Sequence, residues 1–143
     1  MKDITKIKVL FIGGFGPIVQ DKTETTRLYV DALGISFEEM ASGYLHTEKV
    51  EGVKTFALWP LSQAAISCFG TDTWPKDIPI PQAWIEFEVE NVRTATEELE
   101  KLGYKLLVVA RKEPWGQTVT RLLSPEGLLV GVVYTPWMRE EKK

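Results

Sequence analysis

Apolar residues along the 143-residue chain follow two periods. From Leu128 to Tyr134 (LLVGVVY) they run almost unbroken and rich in β-branched side chains. A strand without a polar face has to be covered on both sides. Thr118 to Leu123 predicts a partner strand. Between them Ser124-Pro125-Glu126-Gly127 reads as a tight hairpin turn, because Pro125 presets φ and Gly127 can take φ > 0. Leu28, Tyr29, Ala32 and Leu33 instead recur at helical spacing, with Asp21 or Thr23 as the cap and Gly34 as the stop. Val92, Ala95, Leu99 and Leu102 repeat that pattern between Asn91 and Gly103. Further strands are predicted at Lys6 to Ile12 (with a short apolar resumption at Ile18-Val19), Ile35 to Met40, Gly43 to Glu48, Val53 to Trp59, Ala83 to Val89 and Tyr104 to Val109.

Two junctions match. Val19-Gln20-Asp21 leads through a helix to Leu33-Gly34-Ile35, and Val89-Glu90-Asn91 leads through a helix to Leu102-Gly103-Tyr104, an offset of about seventy residues. Each half is a strand, a helix and three strands. The expected fold class is α+β: two tandem β-α-β-β-β modules, forming curved, mostly antiparallel sheets around a cavity with the helices outside. Residues 1–143 make one domain, with module one at about 6–61, a linker at 62–81 and module two at about 82–136. The linker holds a short helix capped by Ser62 and ended by Gly70, then three of the eight prolines.

Composition narrows the function. The net charge of -3, without a Lys/Arg cluster, gives no footprint for nucleic acid. One cysteine, Cys68, allows no disulfide within the chain, which suits a reducing cytoplasm. Lys2, Lys6 and Lys8 before the apolar Val9 to Val19 imitate a signal peptide, but Asp3 interrupts the basic region and no small-x-small cleavage site follows. No run approaches the ~18 apolar residues of a membrane span. Five tryptophans, several beside proline, point to an aromatic-lined pocket or interface. Gly13-Gly14-Phe15-Gly16 after a strand suggests a dinucleotide loop, but a third glycine is needed where Val19 stands, and Pro17 interrupts the required helix. Those glycines fit a bulge or a close approach between modules or subunits better. Cys68 as a nucleophile would need His46, the one histidine, as its base, and nothing in the sequence pairs them.

Tyr29-Val30-Asp31-Ala32-Leu33-Gly34 and Ser124-Pro125-Glu126-Gly127, in the right modules at the right separation, resemble the helix end and the hairpin of the vicinal oxygen chelate superfamily. That group includes glyoxalase I, extradiol dioxygenases and fosfomycin- and bleomycin-resistance proteins. The resemblance spans about Lys6 to Pro136. It implies a cavity on the inner face of the sheets and, in the metal-dependent members, a divalent ion held there by His, Glu or Gln. Residue by residue, the position of the second-module His is Trp84, and that of the last-strand Glu is Gly131. Neither can ligate a metal through its side chain.

Strand alternation places Trp84, Glu86 and Glu88 on the inner face, opposite Leu129, Gly131 and Val133. Such glutamates need water or a cationic partner, for which Arg121 and Arg111 are the candidates. The expected protein binds a planar or amphipathic small molecule without metal or cofactor. Its cavity is lined by Trp84, Glu86, Glu88, Trp59, Trp115, Gln117, Arg121 and Gly131, with Trp84 within reach of Gly131. A homodimer in the cytoplasm, with no nucleic-acid or membrane partner, completes the reading. The alternative is a lyase, isomerase or dioxygenase whose metal is held by His46, Glu48, Glu86 or Gln117.

Overall fold

The structure is a computed structural model that describes residues 5–40 and 43–139. In chain order it contains β1 (Val9–Val19), α1 (Lys22–Thr26) continuing as a π-helical stretch (Arg27–Ala32), β2 (Glu38–Glu39), β3 (Leu45–Thr47), β4 (Thr55–Pro60) and α2 (Leu61–Phe69). Then come β5 (Ala83–Val89), α3 (Val92–Lys101), β6 (Val108–Lys112), β7 (Thr118–Leu123), β8 (Leu128–Tyr134) and a 3-10 turn at Pro136–Met138. The strands form one open eight-stranded sheet in the order β2-β3-β4-β1-β5-β8-β7-β6. The first strand of each half lies parallel to its last, β1 beside β4 and β5 beside β8, and the other pairings are antiparallel. The halves meet where β1 pairs antiparallel with β5. The predicted duplication is therefore present as two four-stranded halves joined edge to edge.

Two apolar clusters sit on opposite faces. Outside, Val92 and Ala95 of α3 pack on Val89 and Val132. Inside, Ala57, Trp59, Trp84, Val119, Leu129 and Val133 share a cluster with Ala64, Ala65 and Cys68 of α2. So α1 and α3 lie outside as expected, while α2, within the stretch read as a linker, packs on the concave face. Its C-terminal Gly70 takes φ +78° and ends the helix.

Several boundaries differ from the sequence reading. β1 is continuous through Gly13 to Pro17, because Trp84 and the Ala57 carbonyl lie where side chains at Gly14 and Gly16 would go. Its register on β5 shifts between Ile12 and Gly14, the bulge those glycines permit. β2 keeps two residues of the six expected. β6 begins at Val108 rather than Tyr104, and Ala110 takes φ +43° within an irregular register on β7. The apolar stripe of the first helix is not buried: Leu28 is 50% and Leu33 59% exposed. The helix widens there to bonds such as Leu33 N–H to the Leu28 carbonyl, and a five-residue spacing no longer stacks residues three and four apart on one face. Tyr29 still reaches Phe56, with ring centroids 5.8 Å apart.

Candidate functional site

Inward residues of both halves, together with α2, the β6–β7 loop and the C-terminal turn, enclose a cavity of about 430 Å³. Four of the five tryptophans line it: Trp59, Trp84, Trp115 and Trp137. The fifth, Trp74, is core, its indole N–H shared between the carbonyls of Ile78 and Pro79 at 3.0 and 3.1 Å. Trp59 and Trp84 meet edge to face at 5.9 Å. Trp84 is anchored by an N–H bond to the Ala57 carbonyl at 3.2 Å. Its ring lies over Gly14, where a Cβ would stand 2.6 Å from Cη2.

Trp84 pairs in register with Leu129, two residues along β8 from Gly131. Gly131 pairs with Glu86, and a Cβ there would lie 3.2 Å from Glu86 Cγ and 3.5 Å from Arg121 Nη1. The missing side chain accommodates an ion pair. Arg121 Nη1 donates to Glu86 Oε2 at 3.0 Å, and Gln117 Nε2 donates to Glu86 Oε1 at 3.0 Å. Gln117 also accepts from the Trp115 indole at 2.7 Å, which ties the rim of the cavity to its floor.

Arg121 has no solvent exposure, and its guanidinium carbon stands 4.9 Å from the centroid of Trp59. Among the described residues its Nε and Nη2 find no hydrogen-bond acceptor. Glu113 lies 3.9 Å from Nη2, beyond bonding distance, and is held by the Ser67 hydroxyl at 2.7 Å and Arg111 at 3.3 Å. Arg111 therefore serves Glu113 rather than the cavity glutamates.

Glu88 is not on the cavity wall. It is buried beside the C-terminal segment, accepting from Arg139 Nε at 2.8 Å and from the Thr135 backbone at 3.0 Å. Arg139 also bonds the Val89 carbonyl. The sequence offered no signal for this pair, because its partners lie fifty-one residues apart. It fastens the segment that carries Trp137 and Met138 against the cavity.

β3 and the residues flanking it contribute a further group, of which the sequence named His46 and Glu48 and missed Tyr44. Tyr44, His46 and Glu48 all line the cavity. His46 Nδ1 lies 2.8 Å from Glu48 Oε2, and its ring stacks on Tyr44 at 5.7 Å. Burial, reinforced by Glu86 and Glu48, pushes the Tyr44 phenol well above its usual range, so its hydroxyl stays protonated.

A curved sheet built from two β-α-β-β-β halves with an interior pocket defines the class. The sequence profile of the Glyoxalase/Bleomycin resistance protein/Dioxygenase superfamily matches residues 12–132, and the chain belongs to that superfamily. Three of the solved structures that share the fold show its range. One is described as an NAD-dependent benzaldehyde dehydrogenase from Legionella pneumophila, with TM-score 0.57 and 10% identity over 86% of this chain and 98% of that one. Another is a homoprotocatechuate 2,3-dioxygenase variant from Brevibacterium fuscum, with TM-score 0.59 and 16% identity over 91% of this chain. This chain spans only 33% of that dioxygenase. The third is the methylmalonyl-CoA epimerase of Streptomyces coelicolor, with TM-score 0.51 and 15% identity over 90% of this chain and 96% of that one. No curated protein sequence matches.

The divalent ion of metal-dependent relatives does not fit these donors. Among the described residues, no three His, Cys, Asp or Glu side chains gather as a metal site. Glu86 already carries the Arg121 guanidinium, a fixed positive charge that opposes a cation at the same carboxylate.

Proposed function

We propose that the protein binds a planar or amphipathic small molecule, without metal, in the tryptophan-lined cavity. The observation that carries this reading is the convergence of four indoles from separate parts of the chain on one pocket of about 430 Å³. That volume is within the range of small-molecule sites, and rigid aromatic walls give contact area at low entropic cost. Glu86 is neutralised by Arg121, so the wall presents less bare negative charge to a cation than a lone carboxylate would. The reading is tested by following tryptophan emission while bicyclic aromatic probes are titrated into metal-stripped protein. Saturable quenching or a spectral shift is expected; an unchanged spectrum across the series would count against binding.

The metal-enzyme alternative needs His46, Glu48, Glu86 and Gln117 to converge on an ion. All four line the cavity, but His46 is engaged with Glu48 and Gln117 with Glu86. Those pairings weigh against that alternative. A homodimer is part of the proposal, supported by exposed apolar residues on module one, among them Ile12, Phe15, Leu28 and Leu33. Sedimentation at tens of micromolar (roughly where weak dimers persist) should show two chains per particle, and a monomer there removes this part. A cytoplasmic setting accords with the single free cysteine. Among the described residues no helix is long and apolar enough to cross a membrane.

A further inference from the structure

The lining of the cavity is buried at one end and half-exposed at the other. Trp59 and Trp84 are buried, whereas Met40, Trp115 and Trp137 face the same space with about half of their surface in solvent. The mouth therefore lies between Met40 and Glu48 on the side of β2 and β3, and the β6–β7 loop and C-terminal turn on the other. On that second side Trp115 is fixed by its bond to buried Gln117.

The turn that carries Trp137 and Met138 is held at both ends by one atom. Glu88 Oε1 accepts from the Thr135 backbone at 3.0 Å and from Arg139 Nε at 2.8 Å. The first end is held twice, because Thr135 is wholly buried and its hydroxyl also accepts from Gln117 Nε2 at 2.7 Å. The second end is the Arg139 side chain, which reaches the carbonyls of Val89 and Val133 and sets its guanidinium carbon 5.0 Å from the Tyr134 centroid. Between the ends, Met138 rests over Gly13. A Cβ there would lie 3.3 Å from Met138 Sδ and 3.3 Å from Glu88 Cγ, so this glycine seats the turn and its carboxylate together.

Such a latch is specific in geometry and modest in net energy. Burying two ions costs hydration that their attraction only partly returns. Glu88 Oε2 has no hydrogen-bond partner among the described residues, which adds to the cost of the closed arrangement. Lifting the turn about Thr135 hydrates Glu88 and Arg139 together and strands neither charge in the interior. Closed and open arrangements of this kind lie close enough in free energy to interconvert, as lids over binding sites do.

We propose that Pro136–Met138 is a strap over the cavity mouth, hinged at Thr135 and latched by Arg139 on Glu88, which opens to admit and release the flat ligand. This rests on the binding reading above and adds how the site is entered.

The test follows the flat, uncharged naphthalene dye prodan by stopped-flow, through energy transfer from tryptophan, in the full-length protein. In the double variant Glu88→Gln with Arg139→Met, which leaves no buried charge unpaired, the latch is gone. Association and release should both quicken at least about tenfold, the scale of a lost hydrogen bond to a charged group, while the dissociation constant changes less than either rate. A wall that is merely loosened would speed release alone. If the double variant does not fold, Arg139→Lys decides: it keeps the charge but cannot span to both carbonyls, and both rates should again rise. Unchanged rates, or faster release with unchanged association, overturn the strap and leave the binding reading standing. Failure of prodan to bind the natural protein overturns both.

Discussion

Single residues set the shape of the cavity more than its chemistry does. Gly14 has to be glycine because a Cβ there would stand 2.6 Å from Trp84 Cη2 and 2.7 Å from Cζ3. Gly14→Ala should therefore cost about 1–3 kcal/mol by overpacking. The urea midpoint measures it, and an unchanged midpoint would mean that Trp84 lies elsewhere. Cys68 offers a second check, on the packing of α2. Burial pushes its thiol from 9.0 to about 11. The unfolded thiol ionises first as pH rises, so the stabilisation is complete below about pH 9 and disappears toward pH 11. Compared with Cys68→Ala, the natural protein should lose up to about 2 kcal/mol more between those limits. Parallel pH profiles would show instead that the thiol is not held away from water. At this scale the sequence was legible where strand alternation applied: Trp84, Glu86 and Arg121 do meet at the cavity. It set Glu88 on the cavity wall as well, because a partner from the C-terminal segment leaves no local pattern.

Elements with strong local signals formed as the sequence indicated, and those that depend on tertiary pairing moved. Asn91 Oδ1 accepts the Thr94 N–H at 2.9 Å, and Asp21 Oδ1 accepts the Glu24 N–H at 3.0 Å, so both caps were legible. The Ser124–Leu128 turn is likewise closed by the Gly127 N–H to the Ser124 carbonyl at 2.9 Å. What the caps are worth should differ. α3 buries Val92 and Ala95, whereas α1 and its π-helical continuation bury no residue. Asn91→Ala should lower global stability by about 1 kcal/mol, and Asp21→Ala by much less, since fraying of an uncommitted helix need not unfold the sheet. Chemical denaturation of both variants measures the contrast, and equal losses would show that α1 is part of the cooperative core. β2 and β6 were poorly legible for a physical reason. Their ends are set by the partner strand and, at β6, by the Thr120 hydroxyl accepting the Ala110 N–H at 2.8 Å, not by their own apolar pattern.

For the whole molecule, the duplication was the most readable feature, since equivalent helix junctions recur at one offset and the two halves pair through β1 and β5. The pocket between them was readable only as a possibility: a strand apolar on both faces demands cover, but the sequence does not say whether a helix or a cavity provides it. Here both occur. α2 fills part of the concave side, and the remainder is the space bounded by the indoles and the Arg121–Glu86 pair. The central claim is that this cavity binds a flat organic molecule without a metal ion, and the most direct measurement is calorimetric titration of 1-tetralone into the full chain in excess EDTA, repeated after addition of Zn(II) or Fe(II). The account predicts one site per chain with the same affinity in each condition. Binding that emerges only when a divalent ion is supplied would contradict it.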